Sequence, residues 1–150
     1  MHTGEVAGAV GKGLAAGIAG TALMTAASTI DMKIQGREAS SAPADAAAKV
    51  LGVEPTGETE KARFSTVVHW AYGTSWGAAR GLLGAGGLRG PAAAGAHFVA
   101  IWGSGLVMLP ALGVAPPLRE WGPKALAIDA FHHLVYAAAT SLAFSALDRT

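Results

Sequence analysis

The stretch Gly13-Leu-Ala-Ala-Gly-Ile-Ala-Gly-Thr-Ala-Leu-Met-Thr-Ala-Ala-Ser-Thr-Ile30 decides the fold. It carries no charge and no Pro over 18 residues, and its only polar side chains are Ser and Thr hydroxyls. A helix of a soluble protein needs one polar face. A helix that crosses a bilayer needs about 20 mostly apolar residues instead. Three more stretches follow the second rule. Residues 64–79 are uncharged, and beyond Arg80 the chain stays apolar to Leu88. Residues 90–118 are uncharged, although Pro110, Pro116 and Pro117 end any helix before the close. Residues 130–147 are uncharged, with His132 and His133 inside and Asp129 just before.

The charges lie between these stretches. Of the 21 Asp, Glu, Lys and Arg residues, 11 fall between Asp31 and Arg63. Charged residues make up 14% of the 150, well below the roughly 25% of a soluble domain. Low charge with 51% apolar residues excludes intrinsic disorder. The absence of Cys excludes a disulfide scaffold and a thiolate metal site. A net charge of +1 without a basic run argues against nucleic acid as a partner. A soluble bundle rich in Ala and Gly fits poorly, because such helices lack a polar outer face. Lys12, the apolar run and Ala26-Ala27-Ser28 resemble a signal peptide with its cleavage site. Glu5 beside Lys12 and the spans that follow favour a first membrane helix.

The expected fold is all-α: a four-helix transmembrane bundle in one integral membrane domain, residues 1–150. The spans are expected over 8–30, 62–84, 91–112 and 124–147, with a polar loop over 31–61. That loop holds a short amphipathic surface helix. Ser41 reads as its cap, Pro43 and Asp45 as its first turn, and Gly52 as its stop. Lys33, Arg37, Lys49, Lys61, Arg63, Arg119 and Lys124 stand in the first and third loops. Lys12, Arg80, Arg89 and Arg149 stand on the other side. Seven against four places the first and third loops in the cytoplasm.

Small residues recur at four-residue spacing. Gly73, Gly77 and Gly81 form such a row, as do Gly13 and Gly17 with Gly20 close by. Such rows let helix backbones approach closely, where lipid supplies no hydrophobic drive between helices. They serve packing within one bundle, with homo-oligomerisation or docking into a larger membrane complex as the other uses. Gly103 and Gly105 are a further candidate pair. Trp70 and Trp121 suit the membrane interface.

Ionisable groups inside spans are expensive and point to function by default. The candidate polar site is His69, Asp129 and His133, with Tyr72 and Tyr136; His97 and His132 are secondary members. Asp129 and His133 share one helix face. His69 lies at a depth similar to His133, so the two can face each other. His97 enters from the opposite side. His69 with Tyr72 and His133 with Tyr136 repeat the pattern His-x-x-Tyr, which hints at two related helix hairpins. Three uses remain open: hydrogen-bonded packing, a path for a proton or small solute, and a cofactor site. The last would be b-type haem between His69 and His133 or a metal on Asp129, His133 and His69. No nucleophile–base arrangement, phosphate-cradling loop or dinucleotide fingerprint is present, so the chain is read as non-enzymatic.

Several of these segments resemble the YagU family of bacterial inner-membrane proteins. Residues 17–28 lead to Arg37 and Ser41-Ala-Pro43, similar to that family's first span and its Pro- and Arg-containing end. Leu109-Pro110-Ala-Leu-Gly113-Val-Ala-Pro116-Pro117 resembles its Pro-x-x-Gly-Leu-x-Pro-Pro. Asp129-Ala-Phe131-His132-His133-Leu134-Val135 resembles the start of its last helix, with Asp in place of Glu. His69 falls at the opening of the second span. The resemblance runs from about residue 14 to 149 by scattered motifs, with a shorter first loop. It implies an integral inner-membrane protein without a defined activity, and a shared site at His69, Asp129 and His133.

Overall fold

A computed structural model describes residues 2–149. Five α-helices follow one another: α1 (Thr3–Gln35), α2 (Ala42–Leu51), α3 (Glu58–Ala85), α4 (Gly90–Ala111) and α5 (Pro123–Leu147). No strand occurs among the described residues. Four long helices form a bundle, and α2 docks at one end. The helix termini follow local chemistry. The N–H of His2 is held by the Glu5 carboxylate, at 2.9 Å. Gly36 ends α1 in a left-handed conformation, φ 62°, where a Cβ would be strained. Pro91 and Pro123 sit in the first turns of α4 and α5, where the missing N–H costs nothing.

Three helices, not four, are long and apolar enough to cross a membrane: α1, α4 and α5. The 28 residues of α3 suffice in length, but Arg80, His69 and many Ser, Thr and Gly residues lower its hydropathy. Of these, His69 and Arg80 turn inward, as described below.

At the heart of the bundle, α1 packs against both α3 and α5, which touch each other little. Its contact with α3 is antiparallel. A side-chain carbon on Gly81 would meet Ala9, one on Gly77 would meet Gly13, and one on Gly17 would lie 2.7 Å from the Thr74 carbonyl oxygen. Farther along, Gly73 takes Thr21, and His69 bonds Thr25. From Ala9 to Thr25 the two helices run side by side for about 24 Å. The contact with α5 is also antiparallel. It runs from Lys12 and Asp148 (3.2 Å) through Gly20, packed on Tyr136 and Thr140, to Asp31 and His132 (3.7 Å). The glycine rows are thus spent on close approach within the chain. Gly103 and Gly105 are not: nothing lies within 4 Å of a Cβ at either position.

The outside of the bundle is apolar. Ile18, Leu23, Val67, Val99, Val107, Leu134 and Leu142 are all more than half exposed. The inside is the reverse, with Thr21, Arg80, His97, His132, Thr140 and Ser141 buried. This polarity inverts that of a soluble bundle and matches lipid as the surrounding medium.

As expected, a short helix occupies the first loop. Ala44 and Ala46 of α2 are buried, and Gly52 ends it at φ 66°. Ser41 precedes it, but its side chain makes no capping bond, because its backbone already lies in the helical region. Lys49 ties α2 to the bundle by donating to the Leu112 carbonyl at the end of α4, 2.6 Å away. We expect Lys49→Ala to leave the bundle stable and to speed proteolysis of the first loop, read by limited trypsin digestion. The bond is exposed, so its loss costs about 1 kcal/mol or less.

Candidate functional site

Polar groups inside the bundle form a cluster toward one end and a buried stretch beyond it. The cluster lies where α1 ends and α5 begins. The Asp31 carboxylate receives Arg37 at 2.5 Å and also Gln35. His132, on the facing turn of α5, points Nε2 at Asp31. On the next face of α5, Asp129 accepts the indole N–H of Trp102 at 2.9 Å, which ties α4 to α5. His133 donates Nδ1–H to the Asp129 carbonyl at 2.9 Å, with the Asp129 carboxylate 3.7 Å away. This is the pairing expected from their four-residue spacing.

His69 does not join Asp129 and His133. Its partner is Thr25 on α1, at 2.8 Å. Thr25 gives its own hydroxyl proton to the Thr21 carbonyl at 2.7 Å. It therefore accepts from His69, whose neutral ring must carry its proton on Nε2. With its proton on Nε2, His69 has no lone pair at that nitrogen to offer a haem iron. Among the described residues, no three His, Cys, Asp or Glu side chains group closely enough to hold a metal ion. A metal on Asp129, His133 and His69 has no ligand set here.

The buried stretch centres on His97 and Tyr136. His97 is fully buried and donates Nε2–H to the Trp76 carbonyl at 3.0 Å. Its Nδ1 is buried with no hydrogen-bond partner. The Tyr136 ring packs at 5.5 Å from His97, and its hydroxyl donates to the Gly73 carbonyl at 2.5 Å. Both acceptors are backbone carbonyls of α3, reached across its glycine-rich face. One turn on, Thr140 is fully buried, and Ser141 accepts Nε–H of Arg80 at 3.1 Å. The Arg80 guanidinium stacks over Phe144, 4.4 Å from the ring centre. Arg80 is thus buried within the bundle rather than free at its end, which leaves seven charges against three in the count of sides.

The two His-x-x-Tyr motifs occupy unlike environments. Tyr136 is buried, whereas Tyr72 is 36% exposed and packs edge-on against Trp76. Tyr72 therefore stands outside the polar interior. Sequence reasoning missed Arg80, Trp102, Thr140 and Ser141 as members of it. The four-residue step from Tyr136 to Thr140 and on to Phe144 was the available signal on α5.

We expect Tyr136→Phe to lower stability by about 1 kcal/mol, the net value of one hydrogen bond, and Tyr72→Phe to be neutral. Thermal melts in detergent compare the two. Comparison with known proteins finds no family model that matches the chain, no similar curated protein and no similar solved structure.

Proposed function

We propose that the chain is a non-enzymatic integral protein of the bacterial inner membrane that passes protons along the polar interior of its bundle. The observation that carries this reading is the buried His97–Tyr136 pair. His97 offers an acceptor, Nδ1, that no protein donor occupies, in a bundle coated by apolar side chains. A buried polar atom without a partner is costly and so calls for an explanation. Ionisable groups at such depth mark proton paths in membrane proteins. Charged clusters flank the pair on α5: Asp129, His132 and His133 before it, Asp148 after it.

In this reading α3 crosses with the three more apolar helices as the fourth span. It runs beside the charge-free part of α1 from Gly13 to Thr25, about 18 Å, so wherever α1 crosses, α3 accompanies it. His69 and Arg80 then face protein rather than lipid. Seven Lys and Arg residues against three support the cytoplasm for the end with α2. The similarity of the Asp129–His133 segment to the YagU family supports the inner membrane as the location.

The test is proton flux into liposomes that hold the purified protein, followed with an internal pH dye under an imposed potential. Wild type should exceed empty liposomes, and Tyr136→Phe and His97→Gln should each reduce the excess at least tenfold. Tyr72→Phe should keep it. Flux equal to empty liposomes, or unchanged in both interior variants, overturns the reading.

A further inference from the structure

The end of the bundle opposite α2 holds a cavity of about 230 Å3. Arg80, Arg89 and Arg149 line it, together with Gly84, Phe144 and Asp148. Three permanent cations thus face one carboxylate. That carboxylate is already engaged, because Asp148 pairs with Lys12 at 3.2 Å. Arg149 uses its Nε–H on the Ser145 carbonyl at 3.0 Å, which leaves its terminal nitrogens for other acceptors. Among the described residues, no carboxylate lies within 4 Å of the Arg80 guanidinium, although the residue is only 2% exposed. Its Nη1 is buried without any hydrogen-bond partner. That atom lies 3.3 Å from where a Cβ on Gly84 would sit, so it points to the cavity wall that Gly84 forms.

A guanidinium cannot shed its charge. Leaving it buried with an unused donor carries a desolvation cost that an anion would offset. The donor geometry favours an oxyanion, since the planar fork of Arg matches phosphate and carboxylate. The volume is below that of a drug-sized pocket, which suits a single tetrahedral group. We propose that this cavity binds a phosphate oxyanion, held by Arg80 from inside and by Arg89 and Arg149 at the mouth. The group is either a free phosphate or the phosphodiester of a lipid whose chains lie along the bundle. The absence of a side chain at Gly84 keeps the cavity open. A methyl there would lie 2.7 Å from the Phe144 ring that holds Arg80 in place.

The experiment uses the full chain in a neutral detergent. Sodium phosphate, at constant ionic strength, is titrated while thermal stability is followed. Parallel titrations use phosphatidylglycerol and, as a phosphate-free control, diacylglycerol. The variants Arg89→Gln and Arg149→Gln lie at the mouth and do not disturb packing. Stabilisation by inorganic phosphate, weakened about tenfold in apparent affinity by each variant (about 1.4 kcal/mol), establishes a free-phosphate site. Stabilisation by phosphatidylglycerol alone, weakened in the same way, establishes a lipid-phosphate site. Arg80→Lys, which keeps the charge but loses the fork, should weaken either response. No stabilisation by either probe, equal stabilisation by diacylglycerol, or a response unchanged in both mouth variants overturns the proposal. Proton flux should survive Arg89→Gln and Arg149→Gln, so the two readings stand or fall separately.

Discussion

Gly77→Leu should destabilise the bundle more than any other single substitution on this interface. A Cβ at Gly77 meets the Gly13 carbonyl, and Gly17 Cα and N lie 2.7 and 2.8 Å from it. All three neighbours are backbone, so no side chain can turn aside to make room. The reverse contact is equally closed: a Cβ at Gly13 meets the Gly77 carbonyl and lies 3.0 Å from the Gly81 nitrogen. Leu at this point can be housed only by parting α1 from α3. That loses the dispersion contacts along the whole interface, which are the main attraction between helices in lipid. Ordinary overpacking costs about 1–3 kcal/mol; with a backbone wall on each side, the expected loss is roughly 3 kcal/mol or more. Gly77→Ala should fall within the ordinary range. Gly105→Ala meets nothing within 4 Å and should gain up to about 1 kcal/mol from helix propensity. Unfolding in mixed micelles of increasing SDS content ranks the three. A Gly77→Leu protein that unfolds with wild type would show that α1 and α3 do not touch through this face.

The helices themselves were legible because charge is missing in four long blocks and gathered between Asp31 and Arg63. The packing of α1 on α3 was legible for a related reason: glycines four apart must share a face. Gly103 and Gly105 misled because a two-residue step turns about 200° around a helix, so the pair cannot line one groove. The interior site was legible only in part. Asp129 and His133 met as their spacing requires, being neighbours on one helix. The partners of His69, His97 and Tyr136 were not legible, since depth alone does not say which helix lies opposite. Moreover, the acceptors of His97 and Tyr136 are backbone carbonyls of Trp76 and Gly73, and carbonyls leave no mark in a sequence. Arg80 falls within the expected span over 62–84, three residues past Gly77 and one before Gly81, yet a count of charges by side does not show that it faces inward. A charge on the face where a helix packs most closely has to go inside.

That position makes Arg80→Met the second decisive substitution, with an unusual sign. Deleting a charged group normally weakens a protein, because its partner is left behind. Here, among the described residues, no carboxylate lies within 4 Å, and the groups that hold Arg80 are the Ser141 hydroxyl and the Phe144 ring. Without Arg80, Ser141 can turn its hydroxyl onto the carbonyl one turn earlier in its own helix, so it need not be left unsatisfied. The sulfur of Met can take over the contact with Phe144, and its length fills most of the same space. What disappears is the cost of keeping an unpaired guanidinium out of water, several kcal/mol for an ion of this kind. Against this stand a cation–π contact of about 2 kcal/mol and one hydrogen bond. The anion-free Arg80→Met protein should therefore be more stable than wild type by about 1–3 kcal/mol, read from unfolding in mixed micelles without phosphate or added lipid. Its charge is retained for what it binds rather than for the bundle it weakens. An Arg80→Met protein that is less stable than wild type under those conditions would mean that the guanidinium is a structural cation, held by Ser141 and Phe144 for the sake of the fold.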